Sequence, residues 1–201
     1  ARDGRELAYH YQRGFDVHAA AILCAAAAEA LAPGATVERV IEAAMRAVPP
    51  EPQEHLARRR PRDARKHLRA ALDAVEGCAD VLSARPILYK RFLEYNGQDP
   101  WEVVTFTLAI FKVAAGDVRA CMVGGTNIGR DSDTIASQTA LLAAGIGGSS
   151  SLPADLVAFL PEAALARFRR RAAEMVELVS ERSVEALARA ARFTSVTEGD
   201  A

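Results

Sequence analysis

The 201-residue chain is long enough for one domain or slightly more, with about two thirds of its unfolded surface buried on folding. Half of its residues are hydrophobic, a quarter are charged and the formal net charge is −1, a balance that excludes a charge-driven pull toward nucleic acid or a membrane surface. Glu29 interrupts even the alanine-rich stretch from Ala19 to Ala32, so no apolar run reaches the roughly 18 residues a membrane helix needs and no membrane partner is expected.

The chain begins at Ala1 without an initiator Met or a signal-peptide pattern, so its first residue is expected not to be the native start. Residues 17–32, "VHAAAILCAAAAEALA", are rich in the best helix former and stop at Pro33-Gly34; their small side chains predict close approach to neighbouring helices. Thr36 then caps "TVERVIEAAMRAV", whose Val37, Val40, Ile41, Ala44 and Met45 share one face. The following "PPEPQEHLARRRPRDARK" carries four prolines and clustered arginines, and reads as an exposed, mobile connection into a helix from about Asp63 to Cys78. Its basic run lacks interleaved aromatics, so a solvated face is expected rather than a nucleic-acid contact.

Asp99 as N-cap and Pro100 at the first helical position open "DPWEVVTFTLAIFKVAAGD". The apolar run to Gly116 is too long for a typical strand and predicts a buried helix, with a strand as the alternative that its β-branched residues allow. A second Pro-initiated helix near Pro153 and a charged amphipathic stretch from about Pro161 to Phe193 complete the chain. With no hairpin signals and no repeat, a single all-α domain over residues 1–201 is expected. Cys24, Cys78 and Cys121 are odd in number and widely spaced, which predicts buried core thiols in a reducing, cytoplasmic compartment.

The densest polar stretch is "NIGRDSDTIASQ", residues 127–138. Asp131 and Asp133, followed by Thr134, put three oxygen-bearing side chains at a helix start, where a hard cation such as Mg²⁺ or Mn²⁺ can be chelated. The bland alternative is that Asp131 caps the helix while Asp133 complements its dipole. Gly124, Gly125 and Gly129 suggest a glycine-rich loop whose N–H groups suit a phosphate, and a divalent cation would reconcile that anion with the carboxylates. An EF-hand loop beginning at Asp131 fails at Ala136 and Leu142. A P-loop from Gly124 fails at Arg130 and Asp131.

The segment "GRDSDTIASQTALLAAGIGG" resembles the C-terminal signature G-G-D-T-D-T-I of the ADP-ribosylglycohydrolase family, the dinitrogenase-reductase-activating glycohydrolase-like proteins. The alanine-rich helix, "APGATVERVIEAA", "AAGD" ahead of the motif and Leu152-Pro153 after it follow the family's order, so the resemblance covers most of the chain as a C-terminal portion. It implies a compact all-α multi-helix bundle and a dinuclear Mg²⁺ or Mn²⁺ centre that cleaves the glycosidic bond between ADP-ribose and a protein side chain or small acceptor. It further implies Asp131, Asp133 and Thr134 as metal ligands, and Asn127, Gly129, Arg130 and His18 as contacts to ADP-ribose or an ADP-ribosylated substrate, with His10 a weaker candidate. Arg130 stands where the family has its second glycine, and its partner is either the pyrophosphate or a neighbouring acid. The family's threonine-aspartate-aspartate cluster and upstream glutamate are not found, so the resemblance implies a missing N-terminal segment, in the same or a separate chain, without which residues 1–201 are expected to be nearly inactive. No general acid or base is legible, and Glu94 and Asp99 carry no mark that places them at the metals. His55 and His67 lack metal spacing. The alternative function is a non-catalytic ADP-ribose-binding or structural, crystallin-like member of the same fold.

Overall fold

A computed structural model describes residues 1–53 and 61–198, the last nine of these by their backbone alone. The described residues form α1 (Arg2–Tyr9), α2 (Phe15–Ala30), α3 (Val37–Ala47), α4 (Ala64–Ala74), α5 (Val81–Phe92), α6 (Pro100–Val113), α7 (Val118–Asn127), α8 (Ser132–Gly147), α9 (Ala154–Val157) and α10 (Glu162–Glu198), with a 3-10 turn at Ser149–Ser151. No strand forms among them, and an isolated antiparallel bridge joins Gln53 to Arg62. The expected all-α class is therefore observed. Ala1–Pro153 and Ala154–Ala201 cluster as two units, and none of the described helices is long and apolar enough to cross a membrane.

The first unit is organised around α6. Asp99 accepts a hydrogen bond from the Trp101 amide and Pro100 occupies the first turn, as the sequence predicts. Every residue from Trp101 to Phe111 is buried, because α2, α3, α4, α5, α7 and α8 all pack on this helix. A helix enclosed on all sides has no polar stripe, so its few polar residues must find partners inside. Glu102, Thr105 and Thr107 are the polar residues of that buried run, and each points to a different neighbour.

The flanking helices follow local signals closely. Thr36 caps α3 by accepting from the Arg39 amide, and Val40, Ala44 and Met45 of the expected face are buried. Asp63 caps α4, which ends at Ala74, earlier than the expected Cys78. Residues 54–60 of the expected mobile connection, His55 among them, lie outside the described residues. Sequence reading passes over α5, where Pro86 sits inside the helix and reads as a breaker; a capping box between Asp80 and Ser83 starts it nonetheless. The predicted close approach of small residues occurs where α8 crosses α2: a methyl group added at Gly145 would lie 2.9 Å from Ala30 Cβ. The three thiols depart from the uniform expectation, with Cys121 buried, Cys78 intermediate and Cys24 exposed on α2 beside Gly4 of α1.

In the second unit, the helix expected near Pro153 is the single turn α9, and α10 covers the predicted amphipathic stretch. The arginines of its "FRRR" run at 168–171 pair along α10, Arg169 with Glu162 and Arg170 and Arg171 with Glu174, as a solvated charged face does.

Candidate functional site

The chain turns between α7 and α8 over Ile128–Asp131, and the structure corrects the glycine-rich loop expected there. Gly124 and Gly125 lie inside α7, where they serve packing. A Cβ on Gly125 would fall 2.4 Å from Ala136 Cα, and one on Gly124 would fall 2.7 Å from Ile110 Cγ2. The Thr139 hydroxyl sits in the same contact, 2.8 Å from the Ile135 carbonyl of its own helix and 3.1 Å from the Cys121 carbonyl of α7. Only Gly129 belongs to the turn. Its φ of +71° suits glycine, and a Cβ there would meet the Tyr89 hydroxyl at 2.9 Å. That hydroxyl donates to the Ile128 carbonyl and braces the turn from α5. The Ile128 and Gly129 amides are spent on the end of α7, on the carbonyls of Gly124 and Thr126. Asn127 is likewise turned back, donating to the Val123 carbonyl at 2.9 Å.

Asp131 is the N-cap residue of α8, yet its carboxylate makes no capping bond to the helix backbone. It accepts instead from the Thr134 hydroxyl at 3.0 Å. Both side chains open into a cavity of about 260 Å³, with Gln138 one turn further along α8. Asp16 and Leu23 of α2 and Gln98 ahead of α6 close other sides. Asp131, Thr134 and Gln138 share a face because residues three and four apart are neighbours on a helix. Asp133 is exposed and lies outside that lining.

A larger cavity, about 470 Å³, lies around Arg5, Glu6, Tyr9, Val17 and His18. Size does not make it the better candidate, since the carboxylate in its lining, Glu6, is already paired with Arg2 at 2.8 Å. His18 belongs here, and the structure does not bring it to Asp131. Burial, with Arg5 adding to it, holds the His18 imidazole below its ordinary pKa. His10 is exposed beside Tyr11.

Arg130 faces away from the cavity. Its Nε donates to Glu102 Oε1 at 2.7 Å and its Nη2 to Glu102 Oε2 at 2.9 Å, a bidentate fork onto a fully buried carboxylate. Of the two partners open to Arg130 in the sequence, the structure has the neighbouring acid. The network continues inward. Glu102 Oε2 accepts from the Glu94 amide at 2.7 Å, Glu94 Oε1 from Arg62 at 2.6 Å, and Arg62 also reaches His67 Nδ1 at 2.8 Å. His67 Nε2 lies 3.1 Å from the Thr105 hydroxyl, which donates to the Trp101 carbonyl. The Arg62 donation leaves Nε2 as the protonated ring nitrogen. Arg62, expected on a solvated face, is thus turned onto a buried acid, and Arg65 donates to the Val48 carbonyl at 3.0 Å. Opening a buried pair such as Arg130–Glu102 from one side costs about 3–5 kcal/mol, because the remaining charge stays uncompensated.

Sequence reading missed Glu102, Asp16 and Gln138. Glu102 sits three residues after the N-cap Asp99, where an acid reads as ordinary capping, and Asp16 sits in the first turn of α2, where an acid reads as complementing the dipole. Gln138 was within reach, since its spacing from Asp131 and Thr134 is helical.

The match to known families decides what this arrangement belongs to: the family model described as ADP-ribosylglycohydrolase matches residues 7–192. The chain belongs to the ADP-ribosylglycohydrolase family. No curated protein and no solved structure matches it.

ADP-ribosylglycohydrolase membership supports a glycohydrolase type of activity and asks whether these residues suit a hard divalent cation. They do in kind: Asp131 and Asp133 offer carboxylates and Thr134 a hydroxyl, the oxygen donors that Mg²⁺ and Mn²⁺ prefer. They supply part of a shell. Among the described residues, no group of three or more His, Cys, Asp or Glu side chains could hold an ion.

Proposed function

We propose that this member of the ADP-ribosylglycohydrolase family cleaves the glycosidic bond joining ADP-ribose to a protein side chain or small acceptor, at the cavity that Asp131 and Thr134 share. The observation that carries the reading is that pair: a carboxylate left free of its capping role and a hydroxyl 3.0 Å away, both opening into one cavity at a helix N-terminus. Asp131 and Thr134 would hold the metal from the cavity's edge, and the exposed Asp133 would add its carboxylate from outside that lining. When bound, Mg²⁺ or Mn²⁺ supplies the positive charge that orients a ribose diol and stabilises charge developing in the transition state.

The chain's own residues do the remaining work. Asp131 keeps an oxygen-rich edge on the cavity and Thr134 orients its carboxylate. Gln98 and Gln138 offer amide groups suited to sugar hydroxyls, and Leu23, Val103 and Val104 provide an apolar wall. Thr107 donates to Gln138 Oε1 at 2.8 Å, which engages the amide oxygen and leaves the amide nitrogen as the group Gln138 can offer a ligand. Two hard cations want about six oxygen ligands each, more than these side chains offer. The remaining ligands are proposed to come from a further segment, in the same polypeptide or a second chain.

The test has three arms. Mn²⁺ binding by calorimetry should weaken at least tenfold, about 1.4 kcal/mol, in Asp131→Ala. ADP-ribose should raise the melting temperature of the metal-loaded protein. Release of ADP-ribose from ADP-ribosylated arginine should require Asp131 and rise when the further segment is supplied. A thermal shift without release, even with that segment, would identify a non-catalytic ADP-ribose-binding member of the fold. Unchanged Mn²⁺ affinity in Asp131→Ala would remove the metal site.

A further inference from the structure

We infer that Glu102 is a positioning residue for Asp131, acting through Arg130, and that the two form a clamp which sets the turn carrying the site's oxygens. The inference rests on the reading of Asp131 given above. Neither member of the clamp lines the cavity.

The backbone shows why the side chain of Arg130 matters. Gly129 and Arg130 both adopt left-handed conformations, with φ of +71° and +64°. Glycine takes that conformation freely, whereas an L-residue with a Cβ is strained there. A glycine at 130 would suit the turn better, yet the position holds the longest cationic side chain. Beside the Tyr89 brace at Ile128, what holds residue 130 in its strained conformation is the fork: two parallel bonds to a carboxylate whose own side chain is fully buried on α6.

The clamp is braced on every side. Arg130 Nη2 donates to the Glu94 carbonyl at 2.9 Å, while the Glu94 amide donates to Glu102 at 2.7 Å, so the backbone of one residue grips both members. Gly97 allows the approach, since a Cβ there would lie 3.1 Å from Arg130 Cβ. Arg62 holds the Glu94 side chain in turn. The next residue after the clamp is Asp131. Its carbonyl accepts from the Ile135 amide at 3.0 Å, but its carboxylate makes no capping bond to the α8 backbone, so the carboxylate's orientation is set by the backbone at 130 and by the Thr134 hydroxyl.

The experiment compares Glu102→Gln, Arg130→Gly and Arg130→Lys with the unaltered chain, at a temperature where circular dichroism shows each folded. Two readouts are taken: hydrogen exchange of the peptide covering residues 128–135, and Mn²⁺ affinity by calorimetry. In Arg130→Gly and Glu102→Gln, exchange over 128–135 should accelerate at least tenfold while α2 and α3 keep their protection, and Mn²⁺ affinity should fall at least tenfold. Arg130→Lys should recover part of both, since an ammonium keeps the charge but not the fork. It also retains a partner for Glu102, which keeps the test open should the other variants fail to fold. Unchanged exchange over 128–135 in folded variants would overturn the clamp, as would acceleration spread evenly over the chain, the mark of general destabilisation. If the unaltered chain binds no Mn²⁺ while exchange still responds locally, the metal reading of Asp131 fails and the clamp stands.

Discussion

The two cavities are built on opposite faces of one helix. Asp16 and Leu23 of α2 turn toward the Asp131 cavity, whereas Val17 and His18 turn toward the cavity of Arg5 and Tyr9. The first is smaller and oxygen-rich, and it is backed by α6 and by the tight contact of α7 with α8. The second is nearly twice as large, includes the Arg5 cation and leans on α1, a helix with no buried residue. A ligand site needs groups held in place more than it needs volume, because an unrestrained side chain must lose entropy each time it binds. The difference lies in what stands behind each wall.

Two of the three thiols, Cys121 and Cys24, give the widest separation between these regions. Cys121 lies behind the Asp131 cavity, where burial, with Asp117 adding to it, pushes its pKa to about 12. Its thiolate fraction at pH 8 is then on the order of 10⁻⁴. Cys24, next to α1, is exposed. Iodoacetamide at pH 8, followed by peptide mass spectrometry, should modify Cys24 at least a hundredfold faster than Cys121. Comparable rates would mean that the α7–α8 contact opens readily and that the rigid wall is not rigid.

Two glycines test the same contrast in stability. A methyl group at Gly125 would meet the backbone of Ala136, which cannot step aside without moving α8, and Gly125→Ala should cost about 2–3 kcal/mol. A methyl group at Gly4 would meet the Cys24 side chain at 2.6 Å, on a helix that can shift outward. Gly4→Ala should cost under about 1 kcal/mol in urea unfolding. Equal costs would break the comparison.

Metal affinity should separate the faces by about tenfold: Asp131→Ala weakens Mn²⁺ binding while His18→Ala leaves it unchanged, both read by calorimetry. A loss in His18→Ala would restore that residue to the site.

The smallest effect is on pH dependence. The folded pKa of His18 is depressed, so the native state disfavours its protonation. Its contribution to stability is intact above the unfolded value of roughly 6.5 and is lost as pH falls through the lower folded value. Because water screens this partly exposed ring, His18→Gln should flatten the acid-side decline by a few tenths of a kcal/mol, measured by urea unfolding between pH 7 and pH 5. A steeper decline in the variant would reverse the assignment.

Local sequence determined much of this protein. The caps at Thr36, Asp63 and Asp99, the enclosed character of α6 and the oxygen pair Asp131–Thr134 were legible because each depends on residues within a turn or two of one another. Even the family resemblance was legible in linear order, from the segment around Asp131 and the stretches that precede and follow it. What tertiary structure alone decided was direction. Glycines that read as a loop are a helix contact, because the residue that forbids a Cβ at Gly125 is Ala136, eleven positions on and across a helix pair. Arg130 turned to a buried acid 28 residues earlier, and His18 turned to the far face of α2. A side chain's partner depends on which helix lies opposite it, and that is set by the packing of the whole core rather than by its neighbours in sequence.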